Sequence, residues 1–275
     1  RIEMAAAVLA AQAFNIPIAH LHGGEVSLGA IDDTLRHAIT QLSAIHFVSH
    51  EEHARRVRQM GQNPAQVIVT GAPALDNLQT MTLQSRSQIE ATLGQSLPTD
   101  YAMVVFHPVT RQPGQASAQV KQLLEAIRRT GLPAVIGYPN ADAENHAIIQ
   151  QIEAFVKENP RSIAYRNVGI ETYFSLMSHA RVMVGNSSSG IIEAASLKLP
   201  VVNVGDRQKG RLHGVNVIDT PCVTDAIVEA MQRAASDDFR AIVAAMSNPY
   251  GDGQASQRIV KHLESLVIDD AIRYR

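Results

Sequence analysis

The sequence predicts an α/β protein built as doubly wound parallel sheets in two domains, and three observations lead there. Short apolar runs of strand length alternate with helically spaced segments along most of the chain. A largely polar stretch over residues 84–99 interrupts that alternation once, and the alternation then resumes. The chain has 275 residues, enough for two α/β cores of roughly 100–150 residues each.

Residues 5–13 read as a helix without an N-cap residue before it. Such a helix normally follows a strand and loop in a βαβ unit, so further sequence is expected upstream of Arg1. Residues 16–20 form an apolar strand that ends in the Gly23-Gly24 turn. Helical spacing over 31–42 opens with Asp32 and Asp33, whose carboxylates suit a helix N-terminus. A strand over 44–48, a charged helix over 51–60 and a strand over 67–70 follow. Gly71-Ala72-Pro73 then breaks the chain before a segment over 75–83. The stretch over 84–99 is assigned to a helical linker, with the domain boundary near residue 96. Beyond it, strands are predicted over 101–106, 134–136, 162–165, 182–184 and 201–204. Helices are predicted over 116–129, 143–158, 171–178 and 189–197, and a set of helices fills 224–266.

Composition removes several functions. Lysine plus arginine number 24 against 26 acidic residues, and their dispersal leaves no footprint for nucleic acid. Cys222 is the sole cysteine, so neither an intrachain disulfide nor a multi-cysteine zinc site can form, and a reducing, cytoplasmic setting fits. The apolar stretch over 4–14 is too short to span a bilayer and lacks a signal-peptide layout, so membrane insertion is not expected.

The most informative segment runs from the strand over 182–184 through Gly185-Asn186-Ser187-Ser188-Ser189-Gly190 into a helix. Free N–H groups and serine hydroxyls at such a start suit a diphosphate. Gly185 and Gly190 permit close backbone approach, and Glu193, about one turn in, can accept hydrogen bonds from a ribose diol. An ordinary βα turn with serine caps satisfies the same pattern. The spacing differs from the Walker and dinucleotide glycine motifs. One strand later, Arg207, Lys209 and Arg211 form a cationic cluster that could pair with a diphosphate or simply be solvated. His107 follows the strand over 101–106, where it can bind phosphate, move a proton or serve structurally. Asn140 sits in a loop where it can touch a ligand or cap the next helix. In the first domain, His20 and His22 alternate onto one strand face beside Glu25. A third ligand at zinc spacing is lacking, so metal is disfavoured. Arg36 and His37 are placed to pair with Asp32 or Asp33 along their helix.

Taken jointly, His22-Gly23-Gly24-Glu25, Ala30-Ile31-Asp32-Asp33, Arg36-His37-Ala38-Ile39-Thr40, Phe106-His107-Pro108, the Gly185 to Gly190 turn with Glu193, and Arg207-Gln208-Lys209-Gly210-Arg211 resemble the hydrolysing UDP-N-acetylglucosamine 2-epimerases. The likeness includes their relatives in bacterial sialic-acid and legionaminic-acid pathways and extends through Ser247-Asn248-Pro249-Tyr250. It implies two Rossmann-like domains in a glycosyltransferase-B-like arrangement. Residues 1–95 would form a first, sugar-side domain truncated at its N-terminus, 96–254 the UDP-binding domain, and 255–275 a helix crossing back to the first. The resemblance further implies a homodimer with a UDP-sugar substrate, no cofactor and no metal. UDP would leave with loss of the C2 proton, and water would add to the resulting glycal to release the 2-epimeric free sugar.

By matched position, Arg1, His107, Asn140, Val168, Ser187, Ser188, Glu193 and Arg207 contact the nucleotide, together with Ser189 and Gly190 of the same turn. Glu25, Asp32, Asp33 and His107 are the catalytic candidates, and His22, Lys209 and Arg211 are candidates for sugar or phosphate contact. The family's Gly-Asp-Arg-x-Glu stretch appears here as Arg1-Ile2-Glu3, so its aspartate, an acid/base candidate, is expected upstream. Some relatives carry glutamate where this chain has His22. The alternatives are a non-hydrolysing epimerase, a UDP-sugar glycosyltransferase and a non-catalytic UDP-sugar-binding module.

Overall fold

The computed structural model describes residues 2–273. Its first sheet is β1 (Ala19–Leu21), β2 (Ile45–Val48) and β3 (Val67–Val69), parallel and in sequence order. Helices α1 (Ile2–Ala13), α2 (Asp32–Gln41) and α3 (Glu51–Gln59) accompany it. A 3-10 turn at Pro73–Leu75 runs into α4 (Asp76–Thr80). The linker then forms α5 (Arg86–Leu93), opened by a reciprocal Ser85/Gln88 capping box and closed by left-handed Gly94.

The second sheet holds β4 (Ala102–Val105), β5 (Ala134–Gly137), β6 (Ile163–Tyr165), β7 (Val182–Gly185), β8 (Val201–Val204) and β9 (Val217–Thr220). Its order is β6-β5-β4-β7-β8-β9, all parallel. The order reverses between β4 and β7, which is the switch point where ligands of such sheets bind, beyond the strands' carboxyl ends. Helices α6 (Ala116–Thr130), α7 (Asn145–Glu158), α8 (Gly169–His179), α9 (Ser188–Ile191), α10 (Glu193–Ser196), α11 (Thr224–Ala235) and α12 (Asp237–Ala245) complete this half. Strands β4, β5, β7 and β8 are buried along their whole length, which is why each reads as a continuous apolar run and not an alternating one. Val104, Ile136, Val184 and Val202 face one helical layer with Leu123 and Ile127 of α6. Met103, Val105, Met183 and Val201 face the other, with Phe174, Leu176 and Ile191.

Two connections join the halves and touch where they cross. Ala72 donates its N–H to Tyr250 O at 2.8 Å, and a Cβ on Gly251 would lie 3.1 Å from Gly71 Cα. After that crossing, α13 (Ala255–Ser265) and α14 (Asp270–Arg273) lie against the first sheet, where Ile259 and Ile272 pack with Ala44, Ile45 and Phe47. Among the described residues no helix is long and apolar enough to cross a membrane.

Four elements differ from expectation or add to it. The first strand starts at Ala19 and not at residue 16, because Pro17 has no N–H for a ladder. The segment over 75–83, for which the sequence named no element type, is helical to Thr80. The helix over 189–197 is broken at Ile192, where Asn248 Nδ2 donates to the Ile192 carbonyl at 2.8 Å and so enters the helical ladder. Strand β9 was not anticipated; it is an edge strand whose exposed Asp219 interrupts the apolar pattern.

Candidate functional site

At the switch point, β4 and β7 converge so closely that a Cβ on Gly185 would stand 2.0 Å from Val105 O, and Gly185 has φ +138°. Only glycine meets both demands. The next residue, Asn186, locks the two strand ends together. Its Oδ1 accepts the His107 N–H at 2.7 Å and its Nδ2 donates to His107 O at 2.9 Å. The His107 ring accepts the Asn140 N–H at Nδ1, 3.1 Å away, so the neutral ring carries its proton on Nε2.

Ser187 caps α9, its Oγ accepting the Ser189 N–H at 3.3 Å. Tyr173 Oη donates to Ser189 Oγ at 3.0 Å, and the two serine hydroxyls are 3.2 Å apart. Beside this turn a cavity of about 340 Å³ is lined by His107, Tyr138, Tyr165, Val168, Tyr173 and Ser187, among others. Ser188 and Ser189 are half-buried. Gly190 is buried, and a Cβ there would lie 2.9 Å from Val201 Cγ1. A glycine at this position therefore lets α9 pack closely on β8.

Glu193 Oε2 and Asn140 Oδ1 are buried without a hydrogen-bond partner. Such atoms carry a desolvation cost that an incoming polar ligand relieves. Burial pushes the Glu193 carboxyl up to about 7, although Arg211 nearby pulls the other way.

In the first domain, β1 delivers His22 in the left-handed region at φ +63°, with its N–H donated to Phe47 O at 3.0 Å. The turn after it is wedged onto α3, for a Cβ on Gly24 would lie 2.4 Å from His53 O. Glu25 is consequently buried, with 2% of its surface exposed. Arg211 donates Nε to its Oε1 at 2.8 Å and Nη2 to its Oε2 at 2.7 Å, and Tyr250 Oη donates to Oε1 at 2.7 Å. Burial alone would raise the Glu25 carboxyl, but the Arg211 guanidinium overrides it and holds the group down at about 2.

Arg211 also donates to Gln208 Oε1 at 2.9 Å, while Gln208 Nε2 and Arg207 Nη1 donate to Asn186 O at 2.8 and 3.0 Å. A continuous polar path therefore runs from Glu25 to the switch-point turn. The loops carrying it press together, since a Cβ on Gly29 would stand 2.1 Å from Asp206 O.

The remaining candidates separate. Asp33 accepts the Ser27 N–H at 2.6 Å and lies 3.7 Å from Arg36. Arg36 in turn donates to Glu25 O and Ser27 Oγ at 3.0 and 3.1 Å. Asp33 thus braces the 25–33 loop, whereas Asp32 is half-buried at the head of α2. Lys209 turns an exposed side chain toward Asp206, 3.9 Å away, and takes no part in the hydrogen-bonded path described above. His20 is close to Thr40 Oγ1, at 3.3 Å, and stacks edgewise on His46. Among the described residues no group of His, Cys, Asp and Glu is placed to hold a metal. Arg1 lies outside the described residues. Sequence reasoning did not single out Asn186, Gln208 or Tyr250 as individual site residues, although each lies inside a quoted motif.

Comparison with known proteins gives one consistent result. The family profile described as UDP-N-acetylglucosamine 2-epimerase matches residues 1–264. The chain is similar to the Escherichia coli protein named polysialic acid biosynthesis protein P7, at 35% identity over 97% of this chain and 68% of that one. It is similar to the Legionella pneumophila protein named UDP-N,N'-diacetylbacillosamine 2-epimerase (hydrolyzing), at 35% identity over 99% of this chain and 71% of that one. Among solved structures, UDP-GlcNAc 2-epimerase from Neisseria meningitidis bound to UDP-GlcNAc superposes with a TM-score of 0.79 at 20% identity, over 95% of this chain and 73% of that one. That likeness establishes the glycosyltransferase-B-like fold.

Proposed function

The chain belongs to the UDP-N-acetylglucosamine 2-epimerase family, and from that premise we propose that it hydrolyses a UDP-2-acetamido sugar to UDP and the free 2-epimeric sugar. The observation that carries this reading is the path from the buried Glu25 carboxylate through Arg211 and Gln208 to the Ser187 turn. It joins an acid/base group to a nucleotide-sized cavity across the two halves. The hydrolysing outcome is supported by 35% identity to the Legionella protein of that name. On this reading residues 1–95 present the sugar side, 96–254 hold the nucleotide and 255–275 return to the first domain.

The base and ribose would occupy the cavity beside Val168 and Tyr165, with the ribose diol on Glu193 Oε2. The diphosphate would meet Ser187, Ser188, Ser189, Arg207 and the His107 Nε2–H. Arg211 then has two anions to serve. As the diphosphate draws it away, Glu25 loses the cation that keeps its carboxyl acidic and, still buried, becomes a competent base. A base takes the C2 proton, the C1–O bond breaks toward UDP, and the electron pair left at C2 forms the C1=C2 bond of the glycal. Water then adds its oxygen to C1 while a proton returns to C2 from the opposite face. Asp32 and His22 are the remaining groups on the sugar side able to take part in that return.

The test is proton and carbon NMR of the protein with UDP-N-acetylglucosamine, and separately UDP-N,N'-diacetylbacillosamine, in deuterium oxide. Free sugar of inverted C2 configuration carrying deuterium at C2, with UDP, is expected from one of them. A product still linked to UDP would replace this reading with a non-hydrolysing epimerase. UDP binding without turnover of either would replace it with a binding module, which the full engagement of Glu25 by Arg211 and Tyr250 would then explain.

A further inference from the structure

Tyr250 belongs to the connection that returns from the second domain to the first. Its ring is fully buried, and its backbone is fixed on both sides. The N–H donates to Asn248 Oδ1 and the carbonyl accepts the Ala72 N–H, at 2.9 and 2.8 Å. A phenol so held has few ways to place its hydroxyl. That hydroxyl lies 2.7 Å from Glu25 Oε1 and 2.7 Å from Leu212 O. Both are acceptors, and the phenol has one proton, so it can donate to only one of them at a time. Burial, followed by the nearby Glu25 carboxylate, drives the phenol's own ionisation far upward, so the proton stays on oxygen.

The count of protons distinguishes two states of Glu25. While Glu25 is ionised, the phenol proton goes to its Oε1 and Leu212 O waits. Once Glu25 has accepted a proton, its Oε1–H can donate to the phenol oxygen, and the phenol proton turns to Leu212 O. Both contacts of the phenol are then satisfied with Tyr250 and Glu25 in place. We propose that Tyr250 is a positioning residue that holds Glu25 in one orientation through both of its protonation states. The proposal rests on the reading of Glu25 as an acid/base group given above. Tyr250 acts through Glu25 and does not itself touch substrate. The other groups facing Glu25 are His22 of its own turn, Arg36 of α2, His53 of α3, Glu193 of α10 and Arg211 from the loop after β8.

The test is Tyr250→Phe with UDP-N-acetylglucosamine as substrate, reading kcat, KM and the pH profile of kcat. Loss of a donor to the carboxylate should lower kcat at least about tenfold, leave KM within about threefold, and move the acidic limb of kcat up by about one pH unit. Site-specific 3-fluorotyrosine at position 250 is a stronger donor of nearly the same size and should move that limb down. Unchanged kcat with an unmoved limb would overturn the proposal. If Tyr250→Phe does not fold, the fluorotyrosine protein decides, and an unmoved limb there overturns it equally. Should the unmodified protein turn over no UDP-amino sugar, the functional reading fails by itself. The low-field hydroxyl proton of Tyr250 then decides the contact: it should be present in the unmodified protein and shifted in Glu25→Gln, and its absence sinks the Tyr250 proposal as well.

Discussion

Glu25 and Arg211 place a full ion pair where water scarcely reaches, with 2% and 9% of their side chains exposed. Removing one partner of such a pair leaves the other buried and uncompensated, at roughly 3–5 kcal/mol. Glu25→Gln is therefore expected to lower the melting temperature as well as to abolish turnover, and Arg211→Gln should do likewise; calorimetry and the NMR assay read the two effects separately. Gly185→Ala is expected to cost about 3 kcal/mol or more, because its Cβ would collide with Val105 O in a backbone region that L residues avoid. Loss of soluble protein or a large fall in denaturation midpoint is the outcome to look for. Glu193 has the opposite sign from an ordinary surface carboxylate. Its folded carboxyl titrates near 7, above the 4.5 of the unfolded chain, so the folded state binds the extra proton between those values. Its contribution to stability is full below pH 4.5 and fades as pH rises through 7. Glu193→Gln should flatten that part of the stability profile, and a profile identical to that of the unmodified protein would contradict the assignment.

Two helix boundaries in this chain are set by contacts from distant segments, which local propensity does not encode. Asp76 at the start of α4 accepts the Ala255 and Ser256 N–H groups at 3.0 and 2.5 Å and so caps α13 across the domain connection. Asp76→Ala should cost about 1 kcal/mol and raise amide exchange in the first turn of α13 more than elsewhere. Asn248 similarly divides α9 from α10, and that division places Glu193 at the head of a new turn. The central strands β4, β5, β7 and β8 were readable because burial on both faces makes their sequence uniformly apolar. The edge strand β9 was not, because its exposed Asp219 interrupts the apolar run. The serine turn was legible as a motif, but the conformational demand on Gly185 and the packing demand on Gly190 come from Val105 and Val201, neither of which is a sequence neighbour.

Across the whole molecule, acid sensitivity should reside in the first domain's desolvated histidines. Burial, with neighbouring histidine and Arg36, holds His20 at about 4. Burial, partly opposed by Glu25, holds His53 at about 4. Both lie below the 6.5 of an unfolded histidine, so their contribution is complete above pH 6.5 and is lost as pH falls toward 4. Thermal melts should decline across that window, and His53→Gln should reduce the decline. The sequence by itself determined the alternation of strands and helices, the parallel sheets and the family, since each is written in short local runs whose spacing needs no partner to be read. Only the tertiary structure decided which partners the site residues meet. It bound Glu25 to Arg211 186 positions away, gave Asp33 to its own loop, turned Lys209 to the surface and brought Tyr250 beneath the carboxylate. Those pairings depend on where two loops and a returning connection meet in space, and the order of residues along the chain carries no record of that meeting.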